Sequence, residues 1–426
     1  MGNPIERLNV FLRFGPQEEF FVGILASEKG KVLFQYAPDF LTKGIPLSPL
    51  RLPLSGHVQN GDRGLFLGLP GLFFDSLPDG WGLLLMDRHF EKIGISRETV
   101  GPLDRLAFIG DRGMGALVYR PEHKTIPHVR QKVDLEELAK ESLRVLAGSP
   151  GDILPQLLLL GGSPGGARPK ILVGFDPASG HMMSGVSDIP SGYRHFLVKF
   201  PSESDPPFPG ETEYAYSLMA REAGLDVPET RLFPGTGGQA SFGIERFDRI
   251  GNERLHLHTL GGLIGSDHRI PSCSYETALK VTWALTRNRE DVRALLRQMI
   301  FNIATHNRDD HVRNFSFLLD RQASWRVAPA YDLTYSNGPG GEHSMTIAGE
   351  GRNPTRDHIL RVGSEFDFKD SEITAMIGDV LKSVERWPTF AKEAGIPVSV
   401  AERIEKAFHR FSPSHPPRFR RRGESR

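Results

Sequence analysis

Cysteine is almost absent from this chain, since Cys273 is the only one among 426 residues. A lone cysteine forms no intramolecular disulfide and no thiolate zinc site, so we expect a reducing compartment, the cytoplasm. Charge of one sign is also lacking, because 52 lysines and arginines balance 52 aspartates and glutamates. A polyanion such as DNA would therefore be bound only through a local patch or through another subunit.

Long hydrophobic runs are missing as well. No apolar stretch approaches the roughly 20 residues that a membrane-spanning helix needs. The first residues lack the basic start and apolar core of a secretory signal, so we expect no contact with a membrane. Apolar residues still make up 39% of the chain, which is adequate for burial. The length favours about two or three packed units in one enzyme-sized body.

The stretch from 292 to 334 joins a long apolar element to a dense polar cluster. Apolar residues at helical spacing predict a helix over 290–305 with one buried face. The cluster HNRDDHVRN (306–314) follows at once. A hairpin predicted over 315–327 then leads to APAYD (328–332). Chemistry is the expected reason for polar residues so densely placed at the end of a buried helix.

The spacing within this stretch is that of a phosphoryl-transfer site. Asp309 and Asn314 are separated by four residues, as in the D-x-x-x-x-N loop of protein kinases, and Asp332 follows where a kinase carries its metal-binding aspartate. Such chemistry needs an acceptor for the hydroxyl proton and a Mg²⁺ ion held by few oxygen ligands. We therefore predict Asp309 as the catalytic base and Asn314 and Asp332 as magnesium ligands.

A zinc hydrolase is the competing interpretation of the same cluster. His306 and His311 lie five residues apart, but no third ligand follows at a standard spacing. The sequence favours a role for His311 in the catalytic loop, either structural or in contact with a nucleotide.

A lysine stands inside an apolar strand predicted for HFLVKF (195–200). Burying an ammonium group is costly unless it is paired, so Lys199 should meet an anion. In a kinase that anion is the nucleotide phosphate together with a carboxylate from a helix. The helix predicted to end at Gly224 offers Glu213 as the partner, with Glu211 as its competitor.

A glycine-rich loop, GGSPGGARPK (161–170), precedes this strand. Glycines let backbone N–H groups approach phosphate oxygens, and Arg168 or Lys170 adds positive charge. The loop is neither a Walker A motif nor a G-x-G-x-x-G motif. An ordinary turn is the alternative, but its position before Lys199 favours phosphate binding. The predicted contacts are Gly165, Gly166, Ala167, Arg168 and Lys170.

These motifs together resemble the HipA-type serine/threonine kinases, the toxins of bacterial toxin-antitoxin pairs. The resemblance covers nearly the whole chain in order, and the combination is far more specific than any one motif. It rests on the following segments: FFDSLPD (73–79), GSPGGARPK (162–170), HFLVKFP (195–201), ERFDR (245–249), DDHVRN (309–314) and APAYD (328–332).

The resemblance implies an α+β fold with a bilobal, protein-kinase-like core and a helical C-lobe, preceded by a small β-rich N-terminal lobe. The implied units are a β-rich subdomain (1–120), a linker (121–133), a kinase N-lobe (134–250), a helical C-lobe (251–412) and a basic flexible tail (413–426).

The resemblance also assigns residues that spacing does not reach. It implies that Glu245, Arg246 and Phe247 hold the adenine, with Phe247 against the ring. Without the resemblance, this segment would be interpreted as a charged strand end with a solvated salt bridge. It also implies that His311 and Tyr331 are further nucleotide contacts.

Ser163 corresponds to the serine that members of this family autophosphorylate. A phosphate there would repel the nucleotide phosphates and favour expulsion of the loop. The sequence departs from the family pattern at Arg313, where lysine is common, and at Pro164, which stiffens the loop beside Ser163.

The implied activity is ATP- and Mg²⁺-dependent phosphorylation of a translation component, an aminoacyl-tRNA synthetase such as glutamyl-tRNA synthetase. The implied partner is a HipB-like DNA-binding antitoxin, through which any contact with DNA would be indirect. Two alternatives remain open: a small-molecule kinase on the same core, and an inactive co-repressor that acts with the antitoxin.

Overall fold

The structure is a computed structural model that describes residues 5–61, 64–122, 132–148, 154–162, 165–186, 188–235 and 238–411. Ser163, Pro164, most of the predicted linker and the basic tail lie outside the described residues. In the described part, no helix has the length and apolar character that a membrane crossing requires.

The N-terminal unit is built on an antiparallel sheet in the order β4-β3-β2-β1-β5. In the strand Arg7–Gly15, which lies next to one edge strand, alternation places Leu8, Val10, Leu12 and Phe14 on the buried face. The helices Pro38–Lys43 and Pro102–Ile109 pack against this sheet, and Trp81 and Phe90 of a further helix are buried. The elements are β1 (Arg7–Gly15), β2 (Glu18–Glu28), β3 (Lys31–Tyr36), α1 (Pro38–Lys43), β4 (Gln59–Asn60), α2 (Gly71–Phe74), α3 (Gly80–Lys92), α4 (Pro102–Ile109) and β5 (Leu117–Arg120).

The next unit is a second antiparallel sheet, in the order β7-β6-β8-β10-β9, with one long helix against it. Its central strands are almost wholly buried, so they appear as continuous apolar runs in the sequence. The elements are α5 (Leu135–Leu146), α6 (Pro155–Gly161), β6 (Lys170–Phe175), β7 (Met182–Ser184), β8 (Arg194–Lys199), α7 (Pro209–Glu222), β9 (Thr230–Phe233) and β10 (Ser241–Glu245).

The C-terminal unit is mainly helical, with short strands that frame its loops. The predicted buried helix is present as a 16-residue element whose apolar face is buried. Trp387 is fully buried among the last helices. The elements are β11 (Arg249–Ile250), β12 (Glu253–Arg254), β13 (His256–Thr259), α8 (Leu260–Ile264), β14 (Cys273–Ser274), α9 (Tyr275–Thr286), α10 (Arg289–Ala304), β15 (Ser316–Leu319), β16 (Trp325–Val327), β17 (Met345–Thr346), α11 (Arg356–Ser364), α12 (Asp370–Glu385), α13 (Trp387–Glu393) and α14 (Val398–Glu405).

A buried charge network joins the N-terminal unit to the strand that leaves the second sheet. Asp248 accepts hydrogen bonds from Arg246 at 2.7 and 2.9 Å, from Arg249 at 2.7 Å and from the Gly115 amide at 2.6 Å. Arg249 also donates to the Gly113 and Gly115 carbonyls. The interpretation of this segment as a solvated surface salt bridge is therefore wrong, because tertiary packing encloses it.

We expect Asp248→Ala to lower the free energy of unfolding by about 3–5 kcal/mol, because it leaves two buried guanidinium groups without their shared anion. Burial alone would raise the pKa of Asp248, but Arg246 and Arg249 outweigh it and hold that pKa well below its usual range. The matched control is Asp379→Ala, which removes a half-exposed partner of Arg297 and should cost about 1 kcal/mol or less. Equal losses in urea denaturation would contradict the assignment of a stabilising role to the network.

Candidate active site

Lys199 is the last residue of β8 and lies at the centre of a buried ion cluster. Its ammonium Nζ lies 2.5 Å from Oε1 of Glu213 on α7 and also donates to Oδ1 of Asp332. Burial disfavours the charged form, but Asp332 and Glu213 outweigh it and raise the pKa of Lys199. Lys199 is therefore a firmly charged cation between two carboxylates.

Glu213, rather than Glu211, faces this lysine. Its second oxygen accepts a hydrogen bond from Arg168 at 3.1 Å, and Arg168 also lies 3.2 Å from Asp205. Glu211 is turned the other way and accepts from the Ala240 amide at 2.6 Å. Between the two candidates, the geometry favours Glu213.

Lys170, the first residue of β6, is directly opposite Lys199 in the sheet register. Its ammonium group donates to the Gly165 carbonyl at 2.6 Å. Burial, together with the charge of Lys199, lowers the pKa of Lys170 to about 8. Like charges directly opposite each other in a sheet repel, so the two ammonium groups are tolerated together because the carboxylates of Asp332, Asp79 and Glu213 act on Lys170 as well.

Asp332 follows the β15–β16 hairpin and adopts a left-handed backbone conformation, with φ of 58°. That conformation is unusual for a residue other than glycine and often occurs at functional sites. Burial opposes ionisation of Asp332, yet Lys199, Lys170 and Arg168 hold its pKa far below the usual range. The carboxylate is thus ionised, as a magnesium ligand must be.

The two adjacent aspartates of the catalytic-loop motif have different surroundings. Asp310 is buried and accepts hydrogen bonds from Tyr275 at 2.7 Å, His343 at 2.8 Å and the Ser344 amide at 2.8 Å. Asp309 lines the cleft with its side chain 54% exposed. Partial burial raises the pKa of Asp309, and Asp332 and Asp310 add to that rise while His311 lowers it. Only Asp309 is free to meet a substrate hydroxyl.

Asn314 is tied back to the same loop, since its amide nitrogen donates to the Asp309 carbonyl at 2.7 Å. The imidazole Nε2 of His311 lies 3.9 Å from Asp309. The Tyr331 hydroxyl donates to the Arg313 carbonyl at 2.6 Å. This last bond connects the segment of Asp332 to the catalytic loop and fixes the two predicted magnesium ligands relative to each other.

His306 and His311 have separate surroundings. His306 stacks on Tyr335, with ring centroids 5.5 Å apart, and bonds to Asn337. His311 instead packs against His268. Among the described residues, no group of three or more His, Cys, Asp or Glu side chains is arranged to hold a metal ion. The competing zinc interpretation finds no third ligand in that part of the chain.

The segment predicted to hold the adenine lines the same cleft, but its side chains are largely engaged. Glu245 pairs with Arg194, and Arg246 pairs with Asp248. The amide of Arg246 donates to the His195 carbonyl at 2.8 Å. Phe247 lies 5.3 Å from Tyr331 between ring centroids. Phe247 therefore offers the apolar surface here, while the two charged neighbours position the strand.

All of the predicted site residues within the described part of the chain line one cleft of about 920 Å³ between the second sheet and the helical unit. That volume is in the range of small-molecule and cofactor sites. Ser163, the predicted phosphorylation site, lies outside the described residues. The residues brought together are Gly165, Gly166, Ala167, Arg168, Lys170, Lys199, Glu213, Glu245, Arg246, Phe247, Asp309, His311, Asn314, Tyr331 and Asp332.

Asp79 also lines this cleft, and the sequence analysis did not assign it to the site. Its carboxylate accepts hydrogen bonds from the Gly166 amide and from Arg313, the latter at 3.1 Å. Arg313 and Gly166 together outweigh the effect of burial and lower the pKa of Asp79. The only sequence signal was that Asp79 ends the FFDSLPD segment (73–79) that carries the family resemblance.

The fold and the cleft define a bilobal, protein-kinase-like class, with a strand lysine, a helix glutamate and a loop that carries Asp309 and Asn314. The chain belongs to the HipA family: residues 162–388 match the HipA-like C-terminal domain and residues 17–120 match the HipA N-terminal domain. The predicted family and the predicted α+β, kinase-like fold are therefore confirmed.

Two curated relatives are similar to part of this chain. "Putative kinase" of Haemophilus influenzae is 33% identical over 33% of this chain and 44% of its own length. "Putative kinase Y4dM" of Sinorhizobium fredii is 30% identical over 32% of this chain and 36% of its own. Each match thus spans less than half of the relative.

A solved structure shares the fold over nearly the whole chain. It is HipA of Shewanella oneidensis, in a complex with HipB and its operator DNA. The two chains are 19% identical, with a TM-score of 0.68, and the match covers 94% of this chain and 95% of that one. At this identity the likeness establishes the fold.

We expect Glu213→Gln to lower the free energy of unfolding by roughly 3 kcal/mol, because Lys199 and Arg168 both lose a buried anionic partner. Glu211→Gln is the matched control, since it keeps an oxygen that accepts from the Ala240 amide and should cost about 1 kcal/mol. Urea denaturation of both variants measures the difference. A larger loss in Glu211→Gln would contradict the assignment of Glu213 as the partner.

Proposed function

We propose that the protein is an ATP- and Mg²⁺-dependent serine/threonine protein kinase of the HipA type. The observation that carries this proposal is the Lys199–Glu213 ion pair at 2.5 Å, with Asp332 on the same ammonium group. In kinases the strand lysine must pair with a helix glutamate while the metal-binding aspartate is in place. Lys199, Glu213 and Asp332 all line one cleft, which supports the proposal.

The residues present fit a nucleotide with its metal. Lys170, Lys199 and Arg168 supply cationic groups at the end of the sheet, and Asp332 is an ionised oxygen ligand beside them. Asn314 supplies a second oxygen ligand of the hard type that Mg²⁺ prefers. When bound, Mg²⁺ supplies charge neutralisation to the transferring phosphoryl group.

The proposed roles follow from these positions. Lys199 holds the nucleotide phosphates, and Asn314 and Asp332 bind the metal. Asp309 accepts the proton of the substrate hydroxyl at its carboxylate or orients that hydroxyl. Because its pKa is raised, activity should fall on acidification at a higher pH than an ordinary aspartate would give.

The biological part of the proposal follows the family. The substrate proposed is a translation component, an aminoacyl-tRNA synthetase such as glutamyl-tRNA synthetase. The partner proposed is a HipB-like antitoxin, supported by the HipA–HipB–operator complex of the structural relative. Autophosphorylation at Ser163 would inactivate the enzyme, because the added negative charge of about 1.5 to 2 would repel the phosphates of ATP.

The experiment incubates the purified chain with γ-labelled ATP, Mg²⁺ and a cell lysate, then identifies labelled proteins and maps the phosphorylated residues. We expect label on serine or threonine of a synthetase and on Ser163 of the chain itself. Asp309→Asn and Asp332→Asn should lower transfer by at least about 10²-fold, with nucleotide binding weakened more in Asp332→Asn.

Asp320→Asn is the matched control, since Asp320 caps the hairpin turn outside the cleft. Its activity should equal that of the wild type. Unchanged transfer in both Asp309→Asn and Asp332→Asn would overturn the kinase assignment. If only small molecules were labelled, the protein would be a small-molecule kinase instead of a protein kinase. If the wild type labelled nothing, the result would favour an inactive co-repressor.

A pH profile tests the role of Lys170. Its pKa of about 8 means that the ammonium charge is present below that pH and is lost above it, so attraction for ATP phosphates should fall as the pH rises. We expect kcat/KM for ATP to decline above about pH 8 in the wild type. Lys170→Arg keeps the charge and should flatten the profile up to about pH 9.5. An identical decline in that variant would mean that Lys170 does not control it.

A further inference from the structure

Asp79 immediately precedes α3, at the N-cap position, but its side chain does not cap that helix. An aspartate at this position ordinarily accepts a hydrogen bond from an amide of the first helical turn. Here the side chain makes no such capping bond, and the helix starts on the Asp79 backbone carbonyl instead. A carboxylate that makes no capping bond is expected to form its hydrogen bonds with other groups, and these contacts compensate for the missing cap.

One compensation is contact with the glycine-rich loop. The Gly166 amide donates to Asp79 Oδ1, and the Trp81 amide donates back to the Gly166 carbonyl at 3.2 Å. The Trp81 indole donates to the Lys170 carbonyl at 3.0 Å. A β-carbon at Gly80 would lie 2.5 Å from Cα of Ala167, so only glycine permits this approach. The start of α3 thus contacts the loop from Gly166 to Lys170.

The other compensation is contact with the catalytic loop. Arg313 donates to Asp79 at 3.1 Å and to the Leu77 carbonyl at 3.2 Å, and its guanidinium lies 5.4 Å from the ring centre of Phe74. All three partners belong to the N-terminal unit. Arg313 precedes Asn314, and its own carbonyl receives the Tyr331 hydroxyl. Asp79 therefore bonds to both walls of the cleft.

We propose that Asp79 is a positioning residue through which the N-terminal unit holds the glycine-rich loop and the catalytic loop together for ATP. The proposal rests on the proposed kinase function. The competing role on the same contacts is competition with ATP, because a carboxylate at a loop amide resembles a phosphate oxygen. The contacts of Trp81 and Gly80 favour the positioning role. Trp81 donates to carbonyl groups of the loop and Gly80 packs against Ala167, so neither residue occupies a loop amide that could bind phosphate.

The test compares full-length Asp79→Ala, Asp79→Asn and wild type. Hydrogen exchange of the ATP-free protein measures protection of the amides of residues 165–168 and 170, and steady-state kinetics measure KM for ATP separately from kcat. In Asp79→Ala we expect loop exchange and KM for ATP each to rise about tenfold, equal to about 1.4 kcal/mol, with a smaller change in kcat. Asp79→Asn retains an acceptor for the Gly166 amide but loses the charge facing Arg313, so its KM should rise by about threefold.

Asp134→Ala is the control, because Asp134 caps α5 with its own side chain outside the cleft. That variant should leave loop exchange and KM unchanged. Unaltered exchange and KM in a folded Asp79→Ala would overturn the proposal, and a lower KM would establish competition with ATP instead. If Asp79→Ala does not fold, an unaltered KM in Asp79→Asn overturns the proposal. Because exchange is measured without ATP, it tests whether Asp79 holds the glycine-rich loop even if the wild type transfers no phosphate.

Discussion

The buried ammonium group of Lys199 sets the terms for the rest of the cleft. A cation 9% exposed at a strand end is tolerable only with anions fixed beside it. Glu213 and Asp332 come from a helix and from a post-hairpin loop, so pairing them with Lys199 fixes three elements relative to one another. Lys170 on the neighbouring strand adds a second cation, which explains why this end of the sheet carries so many carboxylates.

The local part of this arrangement was readable from the sequence. A lysine in an apolar strand demands a partner, and the next helix offered only a few carboxylates. The spacing from Asp309 to Asn314 predicted a catalytic loop here, and the structure distinguishes Asp309 in the cleft from its buried neighbour Asp310. Periodicity predicted α10 because that helix has one buried face and a regular period.

The contacts that join the units were not readable. Asp79 is separated by 87 residues from Gly166 and by 234 from Arg313, and a helix-start aspartate normally signals nothing beyond a cap. The same limit applies to Asp248, which looks like a surface residue until the N-terminal unit covers it. A sequence pattern predicts the partner of a residue only when burial or spacing limits the candidates. For contacts between units, neither burial nor spacing limits them.

Two polar clusters with short hydrogen bonds show how a structural cluster differs from a candidate active site. Ser48, His258 and Asp75 have the distances of a hydrolase triad, 2.9 Å and 2.5 Å. Yet Ser48 and His258 are at most 1% exposed, and Asp75 also accepts from the Thr259 amide and hydroxyl. This cluster joins the end of α2 to β13, and its serine and imidazole are shielded from solvent. Around Lys199, by contrast, Asp309 and Asp332 remain partly exposed to a cleft of cofactor size. Access and unused hydrogen-bonding capacity, more than the distances themselves, identify the second cluster as the one suited to chemistry.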